Sequence, residues 1–247
     1  MEEKYKICCV AGHRPNGFPW EYTTDPSKLI GSSYDTLVEE KVRKAIMDEG
    51  FNYFISGGTI GVDLDFAKKV LWFRDFYSPH IKLEIAVPCP NQQKFWSEED
   101  KERYQEIIEL ADVVTLISET YTPTCFHKRN EYMVDKSDMV LIFRNDEIES
   151  GGTYYTYEYA QKKGKDVRCV LLREFLRTIE EDDEPYDNWC ETHRNFIKQY
   201  FREIGLPTSK EIPDNKLRRK IRLEKHIQAM EEGKKRREAH RVKGRKV

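Results

Sequence analysis

Residues 53–63 read YFISGGTIGVD, and residues 139–153 read MVLIFRNDEIESGGT. In both stretches an apolar run of strand length leads to the tetrapeptide Ser-Gly-Gly-Thr, at Ser56-Gly57-Gly58-Thr59 and again at Ser150-Gly151-Gly152-Thr153. A segment of helical spacing follows each. Glycines between a strand and a helix keep Cβ atoms out of the way, so backbone N–H groups can approach an anion at the helix N-terminus. One such turn would be plain punctuation. Two in one chain point to a phosphate-bearing ligand at one edge of a sheet.

Working outward, the same alternation continues. Tyr5 to Ala11 is a buried first strand ending in Gly12-His13-Arg14-Pro15, and residues 16–31 are a loop rich in Pro, Gly, Asp and Thr. Ser32 or Ser33 is placed to cap a helix that reaches Glu49, with Leu37, Val42, Ala45 and Ile46 inward. Phe51 to Ile55 is the second strand and Val62 to Phe76 the second helix. Lys82 to Val87 is a third strand, stopped by Pro88-Cys89-Pro90. Ser97 starts a helix whose first turn carries Glu98, Glu99 and Asp100, which suits the helix dipole. Asp112 to Ile117 and Met139 to Phe143 are further strands, with a helix from about Cys125 between them. Thr153 to Lys163 is helical up to Gly164, and Val167 to Leu172 is the sixth strand.

Apolar strands alternating with helices predict an α/β, Rossmann-like fold: a mostly parallel sheet covered by helices on both faces. In such sheets ligands bind beyond the carboxyl ends of the strands. Both glycine turns, Gly12-His13-Arg14 and Pro88-Cys89-Pro90 belong to that edge. The domain spans residues 1–175. A helical extension over 176–207 and a basic tail over 208–247, helical then disordered, follow.

The chain of 247 residues is 38% hydrophobic and 35% charged, with a net charge of −2. That balance hides an asymmetry. Residues 208–247 hold 15 Lys+Arg against 6 Asp+Glu, or +9, which leaves −11 for the rest. A basic tail of this kind can meet nucleic acid or acidic partners. No apolar run approaches the roughly 20 residues of a membrane span, and Met1-Glu2-Glu3-Lys4 leads straight into a strand, so a cytoplasmic protein without membrane contact is expected. None of the six cysteines forms a CxxC pair, and no metal and no cofactor are expected.

The candidate ligand-binding residues are Gly12, His13, Arg14, Ser56, Gly57, Gly58, Thr59, Asp63, Arg129, Gly151, Gly152, Thr153 and Glu158. The glycines would admit a phosphate or ribose, or serve as tight turns. Thr59 and Thr153 would donate hydroxyls, or cap helices. Arg14 and Arg129 would clamp phosphate. Asp63 and Glu158 would accept ribose hydroxyls, or act as helix-dipole partners. Tyr154, Tyr155 and Tyr157 would stack on a base, or pack. Trp96 reads as a packing anchor beside Gln92 and Gln93. Neither turn is a GxxxxGK[ST] loop or a full GxGxxG.

The segments VAGHRP (10–15), SGGTIGVD (56–63), RNEYMVDKS (129–137) with Asp138, Gly151-Gly152-Thr153 and Tyr159-Ala160 resemble the YpsA-like branch of the SLOG superfamily. The resemblance covers residues 4–172. The superfamily includes the Smf/DprA DNA-processing proteins and the LOG phosphoribohydrolases. It implies a Rossmann-like sheet with a pocket for a nucleotide or nucleotide-derived ligand, in a sensor or sequestering module, and a homo-oligomer such as a dimer. The LOG comparison implies an alternative, a phosphoribohydrolase-type N-glycosidase acting on nucleoside monophosphates, with Arg129 and Glu158 catalytic. LOG enzymes carry Arg-Lys and then Pro-Gly-Gly-x-Gly-Thr-x-x-Glu. The arginine, both leading glycines and the glutamate recur at Arg129, Gly151, Gly152 and Glu158, whereas Tyr154 and Tyr155 replace the third glycine and the threonine. The bulk of those tyrosines favours binding over catalysis. The Smf/DprA comparison implies a second alternative, DNA binding, with the basic tail as its contact.

Overall fold

A computed structural model describes residues 5–25, 28–78 and 80–181. Residues Met1–Arg177 form one compact unit by their contacts. In chain order the described strands and α-helices are β1 (Ile7–Gly12), α1 (Leu29–Arg43), β2 (Tyr53–Ser56), α2 (Val62–Phe76), β3 (Lys82–Val87), α3 (Glu98–Leu110), β4 (Val113–Leu116), α4 (Cys125–Lys136), β5 (Met139–Arg144), α5 (Gly151–Lys162), β6 (Asp166–Leu171) and α6 (Leu172–Glu181). The helical extension expected over 176–207 is described only as far as Glu181. The basic tail 208–247 lies outside the described residues.

All six strands are parallel, in the order β4-β3-β2-β1-β5-β6. The chain steps outward from β1 to β4, returns through α4, and resumes on the other side of β1 with β5. Right-handed crossovers then fix the layers. Helices α1, α2 and α3 pack together on one face, and α4 and α5 on the other. The order reverses between β1 and β5, which pair from Cys8↔Met139 to Gly12↔Phe143.

The central strands are apolar because both of their faces are covered. Cys8, Cys9, Val10, Phe54, Ile55, Val140, Ile142 and Phe143 are all fully buried. Strand β3 breaks the rule with Glu84, which is fully buried too. Its carboxylate accepts hydrogen bonds from Tyr53 Oη (2.6 Å), Thr115 Oγ1 (2.7 Å), Tyr132 Oη (2.6 Å) and Lys136 Nζ (2.8 Å). Four donors, one of them charged, compensate the burial. The network ties α4 to the sheet. At the far edge, β4 leaves Val113, Val114 and Leu116 exposed.

Several boundaries differ from the sequence reading. Helix α1 begins at Leu29, so the loop is shorter than residues 16–31 and the two serines lie inside the helix. Its cap position is Lys28, without a side-chain cap bond. The helix continues through a π turn over Lys44–Asp48, which carries the chain to Glu49 as expected. Helix α5 starts at Gly151, so the second Ser-Gly-Gly-Thr is the first turn of the helix itself. The third helix matches its expectation: Ser97 Oγ accepts the Asp100 N–H at 3.1 Å. Among the described residues no helix is long and apolar enough to cross a membrane.

Candidate ligand-binding site

The strand-order reversal opens a cavity of ≈ 420 Å³ beyond the carboxyl ends of β1 and β5. Four segments build it: the end of β1 with the following turn (Gly12, His13, Arg14), the start of α2 (Thr59, Asp63), the first two turns of α4 (Phe126, Arg129, Asn130), and the start of α5 (Ser150 to Thr153, Thr156).

The turn after β1 is held from below. A Cβ on Gly12 would collide with the Val62 side chain, which packs directly on the β1 backbone there, and the Val62 N–H donates to the His13 carbonyl at 3.3 Å. Beyond Pro15, Phe18 packs edge-on against Trp20 and Tyr34. Tyr22 and Tyr34 donate to Asp65 on α2, as does Arg103 on α3. This aromatic and ionic clamp fixes the loop that carries His13, Arg14 and Gly17. Gly17 leaves room for the His13 ring: an added Cβ would stand 2.6 Å from Nδ1.

At the base of the cavity Arg129 meets Asp63, Nη1 to Oδ2 at 3.3 Å, and Nη2 donates to Thr59 Oγ1 at 3.3 Å. The Thr59 N–H reaches the same Asp63 oxygen at 3.4 Å. Both charged residues are 6% exposed. Burial pushes the Asp63 carboxyl above its usual value and the Arg129 guanidinium below its own, and each charge partly offsets the other's shift. Arg129 Nε has no protein partner. His13, 8% exposed, is likewise buried. Burial lowers its pKa against a hydrogen bond with the Asn145 backbone, and the nearby Arg144 charge lowers it further. Its Nε2 has no protein partner.

Helix α5 presents an uncapped N-terminus. Ser150 makes no side-chain cap bond, and Gly151 takes φ +82°, a left-handed backbone that glycine tolerates. The first turn is instead braced through the Gly152 carbonyl, which accepts from Asn130 Nδ2 (3.3 Å) and Thr156 Oγ1 (2.7 Å). Across the mouth Arg14 is exposed, its guanidinium 5.7 Å from the Phe126 ring centre.

The structure therefore brings together Gly12, His13, Arg14, Thr59, Asp63, Arg129, Gly151, Gly152 and Thr153 around one cavity. Ser56, Gly57 and Gly58 lie outside its lining and are buried. Gly57 makes space for Arg129, Gly58 turns with φ +60°, and Ser56 Oγ donates to the Asp63 carbonyl at 2.8 Å. Glu158 is exposed and also outside the lining, so it is not brought together with Arg129. Trp96 packs edge-on against Tyr104. Sequence reasoning missed Asn130, Thr156 and Gly17. The helical period from Gly152 would have found Thr156. Among the described residues no group of three or more His, Cys, Asp or Glu is set to hold a metal ion.

Fold and cavity together define a Rossmann-like α/β protein with a cavity where the strand order reverses. The chain belongs to the YspA SLOG family, whose profile (YpsA) matches residues 8–174. A UPF0398 protein of Halalkalibacterium halodurans is 31% identical over 164 residues, covering 64% of this chain and 85% of its own length. The UPF0398 protein YpsA of Bacillus subtilis is 30% identical over 144 residues, 56% of this chain and 79% of its own. Among solved structures, the DNA processing protein A (DprA) of Streptococcus pneumoniae aligns with a TM-score of 0.46 and 16% identity, over 79% of this chain and 56% of that one.

Proposed function

We propose that the chain binds a nucleotide or nucleotide-derived ligand in the cavity between β1 and β5, as a sensor or sequestering module. The observation that carries this reading is the uncapped α5 N-terminus, with Gly151 at φ +82°, opening onto a cavity lined also by Arg14, His13 and Arg129. Backbone N–H groups and the helix dipole favour a phosphate there. Arg14 adds an exposed positive charge at the mouth. The remaining volume suits a small organic ligand.

Calorimetry of the full chain against a panel of nucleotides, dinucleotides and ADP-ribose derivatives tests the reading. Gly152→Asp is the matched control. It places a carboxylate at the helix N-terminus, where an added Cβ meets only Asn130 Nδ2 at 3.7 Å. Binding that this variant abolishes is the expected result. No heat of binding at millimolar ligand overturns the reading.

A further inference from the structure

Helix α6 touches both walls of the cavity. Strand β6 ends at the carboxyl edge of the sheet, and α6 follows it without a loop, Leu171 leading straight to Leu172. The helix therefore starts at the edge where the cavity opens. One wall of the cavity is the turn after β1, with His13, Arg14 and Gly17, and another is the loop into α5, with Ile148 and Ser150. The direct tie between these walls is thin. Asn145 Nδ2 donates to the Gly17 carbonyl, 128 residues away in the chain, at 3.4 Å, beyond the usual hydrogen-bond range. The His13 ring adds a bond to the Asn145 backbone.

Helix α6 supplies a second tie. Leu172 and Phe175, three residues apart, share its buried face, at 0% and 8% exposure. The Phe175 ring lies 5.7 Å from that of Trp20, centre to centre. Trp20 belongs to the aromatic clamp on the β1 side, 5.2 Å from Phe18 and 6.0 Å from Tyr34. Arg173 precedes Phe175 by two positions, about 200° around the helix. Its Nη2 meets Glu147 Oε2 at 2.5 Å, and Glu147 adjoins Ile148 in the loop into α5. One turn of α6 thus holds the β1 turn on one side and the α5 loop on the other. The ion pair is partly exposed and weak by itself, so the apolar contact carries the grip.

We propose that α6 is a strap across the cavity. Phe175 and Arg173 are positioning residues: neither lines the cavity, and together they set the spacing of the β1 and α5 loops. Seating of α6 and occupation of the cavity then reinforce each other, as linkage requires. That coupling rests on the binding reading above. The family profile ends at residue 174, so the anchor at Phe175 lies outside the part of the chain it matches.

Hydrogen exchange of the full chain, without ligand, tests the strap. Phe175→Ala should speed exchange roughly tenfold in peptides from residues 14–25 and 146–150, with β2 and β3 unchanged. Arg173→Glu should do so in 146–150 alone, and Arg173→Glu with Glu147→Arg should restore the wild-type rate there. Phe175→Leu serves in place of an alanine variant that does not fold. A rise spread evenly over the domain makes Phe175 an ordinary core residue and overturns the proposal, as does no rise in either loop. Failure of the charge exchange to rescue overturns the part given to Arg173. Calorimetry with ADP-ribose tests the coupling. The Phe175 variant should bind it roughly fivefold or more weakly, and ADP-ribose should slow exchange in α6 of the wild type. Equal affinity in wild type and variant overturns the coupling. If no member of the panel binds, the binding reading falls, and the exchange rates alone decide the strap.

Discussion

The guanidinium of Arg129 occupies the space that a side chain at Gly57 would need: a Cβ built on Gly57 falls on Nη1. The first glycine turn thus serves the Arg129–Asp63 pair, and the second, at Gly151 and Gly152, faces the cavity. Two identical tetrapeptides have separate duties.

Gly57→Ala and Gly152→Ala should therefore behave differently. The first displaces Arg129 from Asp63, and breaking a buried ion pair costs about 3–5 kcal/mol. The second puts a Cβ 3.7 Å from Asn130 Nδ2, an ordinary contact at a helical position, and should change stability by less than about 0.5 kcal/mol. Urea denaturation of both variants decides; equal losses would remove the distinction.

Arg14→Gln and Glu158→Gln form a second contrast. Arg14 is exposed at the cavity mouth, so its loss should weaken binding of a phosphate ligand about tenfold while leaving unfolding unchanged. Glu158 lies outside the lining, so its substitution should leave affinity unchanged. Calorimetry with the tightest ligand of the panel reads both.

Glu84 makes part of the stability dependent on pH. Burial works to raise its pKa, but the hydrogen bonds from Lys136, Tyr132, Tyr53 and Thr115 together take it below the usual 4.5. A carboxyl held lower in the folded than in the unfolded chain stabilises fully above 4.5, and that contribution is lost as pH falls through the folded value. Glu84→Gln should cost about 2 kcal/mol at pH 7, since hydrogen bonds to a charged group are the stronger kind. Its disadvantage against wild type should shrink as acid is added. Parallel acid limbs in the two denaturation series would contradict this.

Ser97→Ala should remove the α3 cap bond to the Asp100 N–H and cost about 1 kcal/mol. Chemical denaturation measures it, and a loss below about 0.3 kcal/mol would mean that water replaces the cap.

The sheet was legible in the sequence because buried parallel strands are apolar on both faces, as in Met139 to Phe143. The α3 start was legible because Ser97 and three acidic residues announce it. The α1 start was not, since Lys28 caps without a side-chain bond and the serines that look like caps sit within the helix. Glycines at Gly151 and Gly152 conceal the start of α5 for a similar reason: they are poor helix formers used for access. Thr153, Thr156 and Ala160 lie on the buried face of that helix, and Glu158 lies on its exposed side. The buried partners of Glu84 were invisible, because a lone glutamate in an apolar strand carries no sign of which donors will reach it.

The Glu84 network also has a consequence for descent. Tyr53, Glu84, Thr115, Tyr132 and Lys136 come from β2, β3, β4 and α4, yet they share one charge and its donors. Losing the carboxylate alone strands a buried phenol, and losing a donor alone strands the carboxylate. Single steps at these positions are each costly, whereas an apolar set exchanged together is not. Across related chains the five positions should be inherited as a block, present together or replaced together.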